Sequence, residues 1–400
     1  MQTQQIIENI KLSHPQPIFI QAVTEFLLSV IPYLESIDAT PEDYALLERI
    51  LMPERVVTFK VVWENDAGEK IHNLGYRVQF SSALGPNKGG LRFDATVNED
   101  VLKFLSFEQI FKNSLTGLPL GGGKGGSDFS SKGKSDREIQ RFTTAFMTEL
   151  VRHIGPRTDV PAGDIGVGSR EIGYLYGAYK KITNRTDGSL TGKGVSYSGS
   201  HGRTEATGYG AIYFINDALG KIGKSLTGQR VAISGSGNVA LHAAEKAIQE
   251  GAIVLTLSDR SGYVYAEGGL IQSAIDIVKK AKADGQSLKD ISLEGTTYSE
   301  GTFWQTISAG IYLPCATQNE IDGKDAEAIV ASGAIMVAEG ANMPLTLEAI
   351  KVIQGSSVIL GPSKAVNAGG VAVSGLEMAQ NAAHSPWTAE EVDIALKGIM

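Results

Sequence analysis

Residues 229–240 read QRVAISGSGNVA, a short apolar strand followed by Gly-x-Gly-x-x-Ala at the start of a helical segment. In that context the first glycine makes a tight turn, the second lets backbone approach a diphosphate, and the small Ala240 permits close helix–strand packing. The N–H groups at the start of the helix favour bound negative charge. The stretch therefore predicts a dinucleotide-binding loop. The contacts predicted on it are Gly235, Ser236, Gly237, Asn238 and Val239.

The next strand ends in Ser258, Asp259 and Arg260, three residues that bear on which dinucleotide is bound. An acid at the end of this second strand usually binds the ribose 2′-hydroxyl of NAD. An adjacent arginine can instead pair with the 2′-phosphate of NADP. The spacing alone leaves both interpretations open.

Strands and helices alternate on both sides of this loop. Short apolar runs predict strands at 229–234, 252–257, 311–314, 334–338 and 358–360, and helical patterns occupy 205–219, 238–251, 270–283, 326–332 and 345–354. Such alternation predicts a doubly wound parallel sheet. The character of the sequence changes near residue 195, beside a Gly/Ser-rich stretch. We therefore predict an α/β protein with a substrate-binding and oligomerisation domain over 1–195 and a Rossmann-like dinucleotide-binding domain over 196–400.

The first 195 residues predict a mixed α/β domain. The predicted elements are helices over 15–35, from Thr40 onward, over 98–115 and over 135–154, and a hairpin of strands 55–63 and 70–81. Three glycine-rich segments, at 85–90, 117–126 and 163–168, are expected to be loops.

Composition excludes several classes of protein. The 400 residues carry a formal net charge of −8, so no nucleic-acid partner is expected. The single cysteine, Cys315, excludes an intramolecular disulfide, and the six histidines are scattered, so no metal site is expected. The chain has no basic segment followed by an apolar run at its start, and no uninterrupted apolar stretch of about 18 residues. These features predict a cytoplasmic protein without membrane contact.

Three lysines in the first domain lie in glycine-rich or polar contexts. Lys88 is in GPNKGGLRF, Lys112 is on the helical segment FEQIFKN, and Lys124 is in GGGKGG. Lysines are point charges suited to carboxylates, so three together could hold a dicarboxylate. Gln109 shares a helix face with Lys112 because the two are three residues apart. The cluster predicts a site for a small anionic substrate.

Asp164 lies in the segment DVPAGDIGVG, between glycines that let the backbone hold its carboxylate in a tight loop. It is a candidate general acid and base. A lysine such as Lys124 can polarise a carbonyl for the same chemistry. Together with the dinucleotide loop, these residues predict an oxidoreductase that moves a hydride.

The motifs GPNKGGLRF, GLPLGGGKGG, DVPAGDIGVG, TGYG and GSGNVA together resemble those of the glutamate dehydrogenase family, in its bacterial-type hexameric form. The resemblance covers nearly all of the chain. It implies reversible reductive amination of 2-oxoglutarate with ammonia and NADPH to L-glutamate, by a homohexamer in nitrogen assimilation. The Ser-Asp-Arg strand ending resembles the NADP-preferring type, so NADP is expected, with NAD as the alternative.

Carried over by position, the resemblance implies that Lys124 activates water and polarises the 2-oxo group, and that Asp164 exchanges protons with the intermediates. It implies that Lys88 binds the distal carboxylate with Ser374 from the second domain, and that Gln109 and Lys112 bind the α-carboxylate. The further contacts it implies are Ala162 and Arg203 for the substrate and Thr207, Ala316, Thr317, Asn342 and Asn367 for the cofactor.

Lys88 and Ser374 favour glutamate, because related enzymes for leucine, valine or phenylalanine have apolar residues at these positions. Two alternatives remain. One is an NAD-dependent glutamate dehydrogenase, or an amino-acid dehydrogenase for another acidic substrate. The other is a regulatory protein that binds NAD(P) without turnover.

Residues 388–400 predict a last amphipathic helix, opened by a capping box at Thr388 to Glu391. The helix stops without a C-cap glycine, and members of the family usually continue with a segment that returns to the first domain. We therefore expect the chain to be truncated at this end.

Overall fold

The computed structural model of the chain describes residues 2–400. They form two compact units: a first unit of residues up to His201 with Ser374–Thr388, and a second unit of Gly202–Val373 with Ala389–Met400. The first unit thus extends beyond residue 195, where the sequence predicted the division. It also takes in 374–388, which the sequence analysis assigned to the second domain, because polar contacts join this segment to residues 190–200.

The first unit is built on one mixed sheet. Its helices are α1 (Gln2–Ser13), α2 (Pro17–Ser36), α3 (Pro41–Ile50), α4 (Glu99–Ser114), α5 (Asp136–Leu150) and α6 (Ser169–Thr183). Its strands are β1 (Arg55–Glu64), β2 (Lys70–Ser81), β3 (Asn87–Phe93), β4 (Gly122–Ser127) and β5 (Asp159–Gly163). The strand order is β1-β2-β4-β3-β5, with β3, β4 and β5 parallel and the predicted β1–β2 hairpin antiparallel.

Two apolar clusters cover the two faces of this sheet. Phe19 of α2, Phe80 of β2 and Phe107 of α4 belong to one cluster. Phe93 of β3 and Phe142 of α5 belong to the other. The helices therefore sandwich the sheet, and α4 covers the face that carries the functional side chains described below.

Helix α2 is long and apolar enough to cross a membrane when judged by length and composition alone. Polar residues such as Gln21 and Glu25 interrupt it, so the sequence shows no unbroken apolar run of that length. Core helices of water-soluble proteins pass the same test. Its residues Phe19 and Leu27 are buried in the core of the first unit, although only 22% of the apolar window is buried, so we assign one face of α2 to that core.

Two of the three glycine-rich segments predicted as loops are strands in part, which corrects the sequence analysis, because β3 begins at Asn87 and β4 at Gly122. Strand β4 has the sequence GGKGGS and is buried throughout. A Cβ on Gly89 would lie 1.6 Å from the carbonyl oxygen of Gly123, and one on Gly122 would lie 2.2 Å from the side chain of Ile110. Strands and α4 approach so closely that only glycine fits, and this packing outweighs the low strand preference of glycine.

The second unit confirms the predicted doubly wound sheet. Its strands are β6 (Arg230–Ile233), β7 (Ile253–Asp259), β8 (Gly262–Tyr265), β9 (Thr297–Ser299), β10 (Ile311–Leu313), β11 (Met336–Ala338) and β12 (Ile359–Gly361). The order is β12-β11-β10-β6-β7-β8-β9. The strands from β12 to β7 are parallel, and β8 and β9 add an antiparallel edge that the sequence analysis did not predict.

Helices lie on both faces of this second sheet. They are α7 (Ala206–Lys221), α8 (Asn238–Gln249), α9 (Gln272–Ala283), α10 (Gly323–Ala331), α11 (Leu347–Gln354), α12 (Ser363–Val366) and α14 (Ala389–Ile399). Helix α13 (Gly369–Ala383) begins in the second unit and continues into the first. Successive residues of β6 face opposite clusters, Val231 with α7 and α8 and Ala232 with α10 and α11.

Candidate active site

The parallel strands of the first unit bring basic side chains to one face. Lys88 and Arg92 lie on β3 an even number of residues apart, so they share a face. Leu91 pairs with Gly125 of β4, which places Lys124 on the same face as the other two. Lys88 is 1% exposed and Lys124 is 7% exposed. Two basic groups are therefore buried on the face that α4 covers.

Asp164 follows the last residue of β5 and completes this cluster. Its Oδ1 accepts a hydrogen bond from Lys124 Nζ at 3.1 Å, and its Oδ2 accepts one from Arg92 Nε at 2.7 Å. A Cβ on Gly90 would lie 2.8 Å from Asp164 Cβ, so this glycine makes room for the carboxylate. Burial acts to raise the pKa of Asp164, but the two cations outweigh it and lower the pKa to about 2. Asp164 is therefore ionised at neutral pH and begins as a proton acceptor.

A fully buried ion pair supports these strands from the opposite face. Arg77 makes two hydrogen bonds to the carboxylate of Asp159, the one from Nε at 2.8 Å. Its Nη1 also donates to the carbonyl oxygen of Gly89 at 3.2 Å, and Gln79 donates to Asp159 at 3.0 Å. Such bidentate pairs fix geometry. The sequence analysis missed this pair because β2 shows no motif around Arg77.

Asn113 attaches helix α4 to the strands. Its side-chain amide donates to the carbonyl oxygens of Lys88 at 3.0 Å and Gly121 at 2.5 Å. Its Oδ1 accepts from Gln109 Nε2 at 2.7 Å. These hydrogen bonds fix the position of α4 relative to Lys88. The same helix carries Gln109 and, three residues further along, the partly exposed Lys112.

Ser374 lies in the part of α13 that belongs to the first unit and is 1% exposed. The expectation that this residue comes from the second domain is therefore corrected. Ala162, on β5, is 5% exposed. Thr191, whose N–H donates to the carbonyl oxygen of Pro161 at 3.0 Å, has a buried hydroxyl with no hydrogen-bond partner among residues 2–400. No sequence motif pointed to this hydroxyl, and we add it as a candidate polar contact.

In the second unit, the loop between β6 and α8 has the geometry that the glycine motif predicts. Gly235 has φ +87°, and a Cβ there would lie 3.0 Å from the carbonyl oxygen of Cys315. Its N–H donates to Ser258 Oγ at 2.8 Å. Gly237 is the N-cap residue of α8 and has no side chain that could accept from the first N–H groups of the helix. A Cβ at this position would meet no atom within 4 Å. The helix N-terminus is open for a phosphate group.

A cavity of about 330 Å³ lies beside this loop, at the carboxyl ends of β6, β7 and β10. The carboxyl ends of parallel strands are where open α/β sheets bind ligands. The lining includes the predicted residues Gly235, Ser236, Gly237, Ser258, Asp259, Arg260, Ala316 and Thr317. The residues fit the adenosine half of a dinucleotide, with the open turn of α8 for the diphosphate.

Asp259 is held by its own chain. Its Oδ1 accepts from the N–H of Ser261 at 2.9 Å and from the hydroxyl of Ser261 at 2.5 Å. Its Oδ2 accepts from Lys282 Nζ at 2.5 Å, Ser287 Oγ at 3.2 Å and the N–H of Leu288 at 2.8 Å. Burial acts to raise the pKa of Asp259, but Lys282 and these donors lower it well below the ordinary value. The adjacent Arg260 is exposed at the cavity.

The other predicted cofactor residues meet in two places of the second unit. The side chains of Asn342 and Asn367 share a hydrogen bond of 2.8 Å. A Cβ on Gly370 would lie 2.8 Å from Thr207 Oγ1 and 3.3 Å from Arg203 Nη1, so Arg203 and Thr207 lie together beside this glycine. Asn238, the first residue of α8, donates from its side chain to the carbonyl oxygen of Thr204, and Val239 follows it.

A parallel sheet with a glycine-rich loop at a helix N-terminus is the architecture of dinucleotide-binding oxidoreductases. Residues 198–400 match the family model for Glutamate/Leucine/Phenylalanine/Valine dehydrogenase, and residues 53–181 match that for the Glu/Leu/Phe/Val dehydrogenase dimerisation domain. The chain belongs to this family. The membership predicted from its motifs is confirmed.

Similar proteins include the NADP-specific glutamate dehydrogenase of Psychrobacter sp. (strain TAD1), 53% identical over 96% of this chain and 86% of that protein. The NAD-specific glutamate dehydrogenase of Bacteroides fragilis (strain YCH46) is 49% identical over 100% of this chain and 91% of that protein. The crystal structure of Plasmodium falciparum glutamate dehydrogenase is 48% identical, with a TM-score of 0.95 over 100% of this chain and 85% of that one.

Proposed function

We propose that this chain is an NADP-dependent glutamate dehydrogenase that catalyses the reversible reductive amination of 2-oxoglutarate with ammonia to L-glutamate. One observation carries the choice of substrate. Lys88 is 1% exposed and lies on the same face of the sheet as Lys124, whose partner is Asp164. The family name covers four amino acids, of which only glutamate has a side-chain charge to match a buried ammonium. An apolar substrate would offer that ammonium no counter-charge.

The side chains divide the work of the reaction. Lys88 and Ser374 bind the distal carboxylate, and Lys112 and Gln109 bind the α-carboxylate. Ala162 and Arg203 complete the substrate contacts. Clamping both ends of the substrate orients the 2-oxo carbon, which lowers the entropic part of the barrier.

Lys124 and Asp164 handle the protons. Lys124 donates a hydrogen bond to the 2-oxo oxygen and so polarises the carbonyl for attack by ammonia. Asp164, ionised and already paired with Lys124, accepts a proton from the attacking nitrogen. The carbinolamine oxygen takes one proton from the Lys124 ammonium and the second from Asp164, so that it departs as water and leaves protonated 2-iminoglutarate. Bound NADPH supplies the hydride that reduces the resulting 2-iminoglutarate.

Residues of the second unit bind the cofactor. The loop from Gly235 to Val239 binds the diphosphate, while Ser258, Ala316 and Thr317 lie beside the adenosine half. The ribose and the nicotinamide are bound by Thr207, Asn342 and Asn367. We favour NADP because five donors already occupy the Asp259 carboxylate, whereas Arg260 is exposed at the cavity and suits a 2′-phosphate.

An NAD-dependent glutamate dehydrogenase is the second candidate. The Bacteroides fragilis relative, which matches the whole chain, is NAD-specific. In that case Asp259 would have to exchange one of its internal donors for the ribose 2′-hydroxyl. We further propose that the protein is cytoplasmic and acts as a homohexamer in nitrogen assimilation. The match to a dimerisation domain over residues 53–181 supports self-association through the first unit.

The test is an assay of the purified full chain with 2-oxoglutarate and ammonium, following oxidation of NADPH and NADH in parallel. We expect turnover with NADPH to exceed turnover with NADH. The apolar 4-methyl-2-oxopentanoate should be a poor substrate. Preference for NADH would move the assignment to the second candidate. Dinucleotide binding without turnover of any 2-oxo acid would overturn the enzymatic assignment and favour a regulatory protein.

A further inference from the structure

The first unit contains a second fully buried ion pair, which the reaction steps above do not use. Lys193 and Glu377 both have side chains that are 0% exposed, and Lys193 Nζ lies 2.7 Å from Glu377 Oε1. Removing two charges from water is costly, and their attraction often does no more than offset that cost. A buried pair of this kind is therefore better explained by the geometry that it fixes than by net stability.

The carboxylate of Glu377 holds a loop against helix α13. Its Oε2 accepts from the N–H of Gly192 at 2.9 Å, and its Oε1 accepts from the N–H of Lys193 at 3.4 Å as well as from Nζ. The same Nζ donates to the carbonyl oxygen of Leu190 at 2.5 Å. Residues 190–193 and the helix are thus joined through charged groups at several points.

The loop is also joined to the strands that carry Lys88. The N–H of Thr191 donates to the carbonyl oxygen of Pro161 on β5 at 3.0 Å. Pro161 pairs with Gly89 on β3, the residue after Lys88. A continuous set of hydrogen bonds therefore runs from Glu377 to the strand of the substrate lysine.

Ser374 precedes Glu377 by three residues, so the two share a face of α13. One turn later, Gln380 donates to Ser200 Oγ at 2.8 Å, and Asn381 donates to the carbonyl oxygen of Ser198 at 2.9 Å. The loop thus holds successive turns of this helix. Fixing Glu377 fixes the rotation of α13, and with it the position of the Ser374 hydroxyl.

We propose that Lys193 and Glu377 form a positioning pair for substrate recognition. The pair holds Ser374 at the strand that carries Lys88, so that the two side chains together select 2-oxo acids with a distal carboxylate. Lys193 and Glu377 need not contact the substrate for this role. The inference rests on the proposed function, because it assigns the geometry to the recognition of 2-oxoglutarate.

The test compares steady-state kinetics of Glu377→Gln, Lys193→Arg and the double variant Lys193→Met/Glu377→Leu with those of the wild type. Glu377→Gln keeps the size of the side chain but leaves the buried Lys193 ammonium without its carboxylate, whereas the double variant removes both charges and leaves no isolated buried charge. We expect the KM for 2-oxoglutarate to rise about tenfold in both, with kcat and the KM for NADPH within about threefold of wild type. Lys193→Arg keeps the positive charge and should show a smaller rise in this KM.

The specificity ratio provides the decisive measurement. The kcat/KM for 2-oxoglutarate divided by that for 2-oxopentanoate, which lacks the distal carboxylate, should fall about tenfold in the same two variants. Lys103→Met is the matched control. Lys103 is a buried lysine of the first unit, 5% exposed and paired with Glu99 at 2.9 Å, and its replacement should lower Tm without changing the ratio.

The possible outcomes separate this inference from the proposed function. Variants with a lower Tm but the wild-type KM and ratio, the result expected for the Lys103 control, would show that the pair is purely structural and would overturn the proposal. A wild-type chain that does not turn over 2-oxoglutarate with either cofactor would overturn the proposed function itself. Normal wild-type turnover with unaltered variants would remove the positioning role alone.

Discussion

Two aspartates at strand ends carried the main functional expectations, and the structure holds them differently. Asp164, after β5, accepts one hydrogen bond on each oxygen, from Lys124 and from Arg92. Asp259, at the end of β7, accepts hydrogen bonds from five donors. An ionised carboxylate offers about four acceptor sites, so Asp164 has spare capacity and Asp259 has none.

The comparison shows that a lowered pKa does not by itself identify a catalytic carboxylate. The pKa of both aspartates is lowered although burial acts in the other direction, because each has a lysine partner and further donors. What separates them is the capacity to accept another hydrogen bond without losing one. By this criterion Asp164 can engage a substrate, while Asp259 mainly orders the turn that presents Arg260.

Replacing the lysine partner of each aspartate should give the largest difference in kcat between the two sites. Lys124→Met removes the group that polarises the 2-oxo oxygen, and we expect kcat to fall by about 10³-fold or more. The matched variant Lys282→Met removes the lysine beside Asp259 and should leave kcat within about threefold at saturating NADPH. Stopped-flow or steady-state oxidation of NADPH measures both. Equal losses in the two variants would abolish the distinction between the two carboxylates.

Neutralising the catalytic carboxylate should have the next largest effect. Asp164→Asn removes the proton acceptor and leaves the shape of the site intact, so kcat should fall by about 10²-fold to 10³-fold. The dissociation constant for NADPH, measured by fluorescence titration, should not change. Asp259→Asn serves as the control and should keep nearly full kcat. A fully active Asp164→Asn enzyme would contradict the proton-transfer role.

Replacing the exposed Arg260 should test which cofactor the second unit prefers. Arg260→Gln removes a charge-assisted contact to the 2′-phosphate. Because only NADPH carries this phosphate, we expect the KM for NADPH to rise about tenfold and the KM for NADH to stay constant. Parallel titrations of the two cofactors measure this difference. An equal change for both cofactors would show that Arg260 does not read the 2′-phosphate.

The smallest effect should be on stability and should depend on pH. Asp259→Asn should lower the free energy of unfolding at pH 7 by about 1–3 kcal/mol, because it weakens several partly buried hydrogen bonds. The pKa of Asp259 is depressed in the folded state, so the stabilisation is complete above the unfolded value of about 3.9 and is lost as pH falls through the folded value. Urea unfolding of wild type and variant from pH 7 to pH 3 should show the difference shrinking below about pH 4. A difference that grows towards low pH would contradict the ionised assignment.

Local sequence was sufficient for most elements of secondary structure. The helix after Thr40 begins with the capping box formed with Asp43, and strand β2 spans Lys70–Ser81 as predicted. The dinucleotide loop was also predictable, because a strand, two glycines and a helix start are all encoded within 12 residues. Helices α1, α6, α12 and α13 and strands β5, β8 and β9 were missed, since their apolar patterns are short or mixed with polar residues and glycines.

The sequence by itself determined the α/β class, the glycine loop of the cofactor site and the lysine and aspartate residues around the substrate, because periodicity and motifs are properties of neighbouring residues. Only the tertiary structure decided that GGKGGS is a buried strand, that Lys282 holds Asp259, and that Ser374 belongs with the first unit. Each of these outcomes depends on contacts between residues far apart in the chain: Gly89 with Gly123, Asp259 with Lys282, and Glu377 with Lys193. Such contacts arise from close packing and charge pairing in the folded state, which no local pattern encodes.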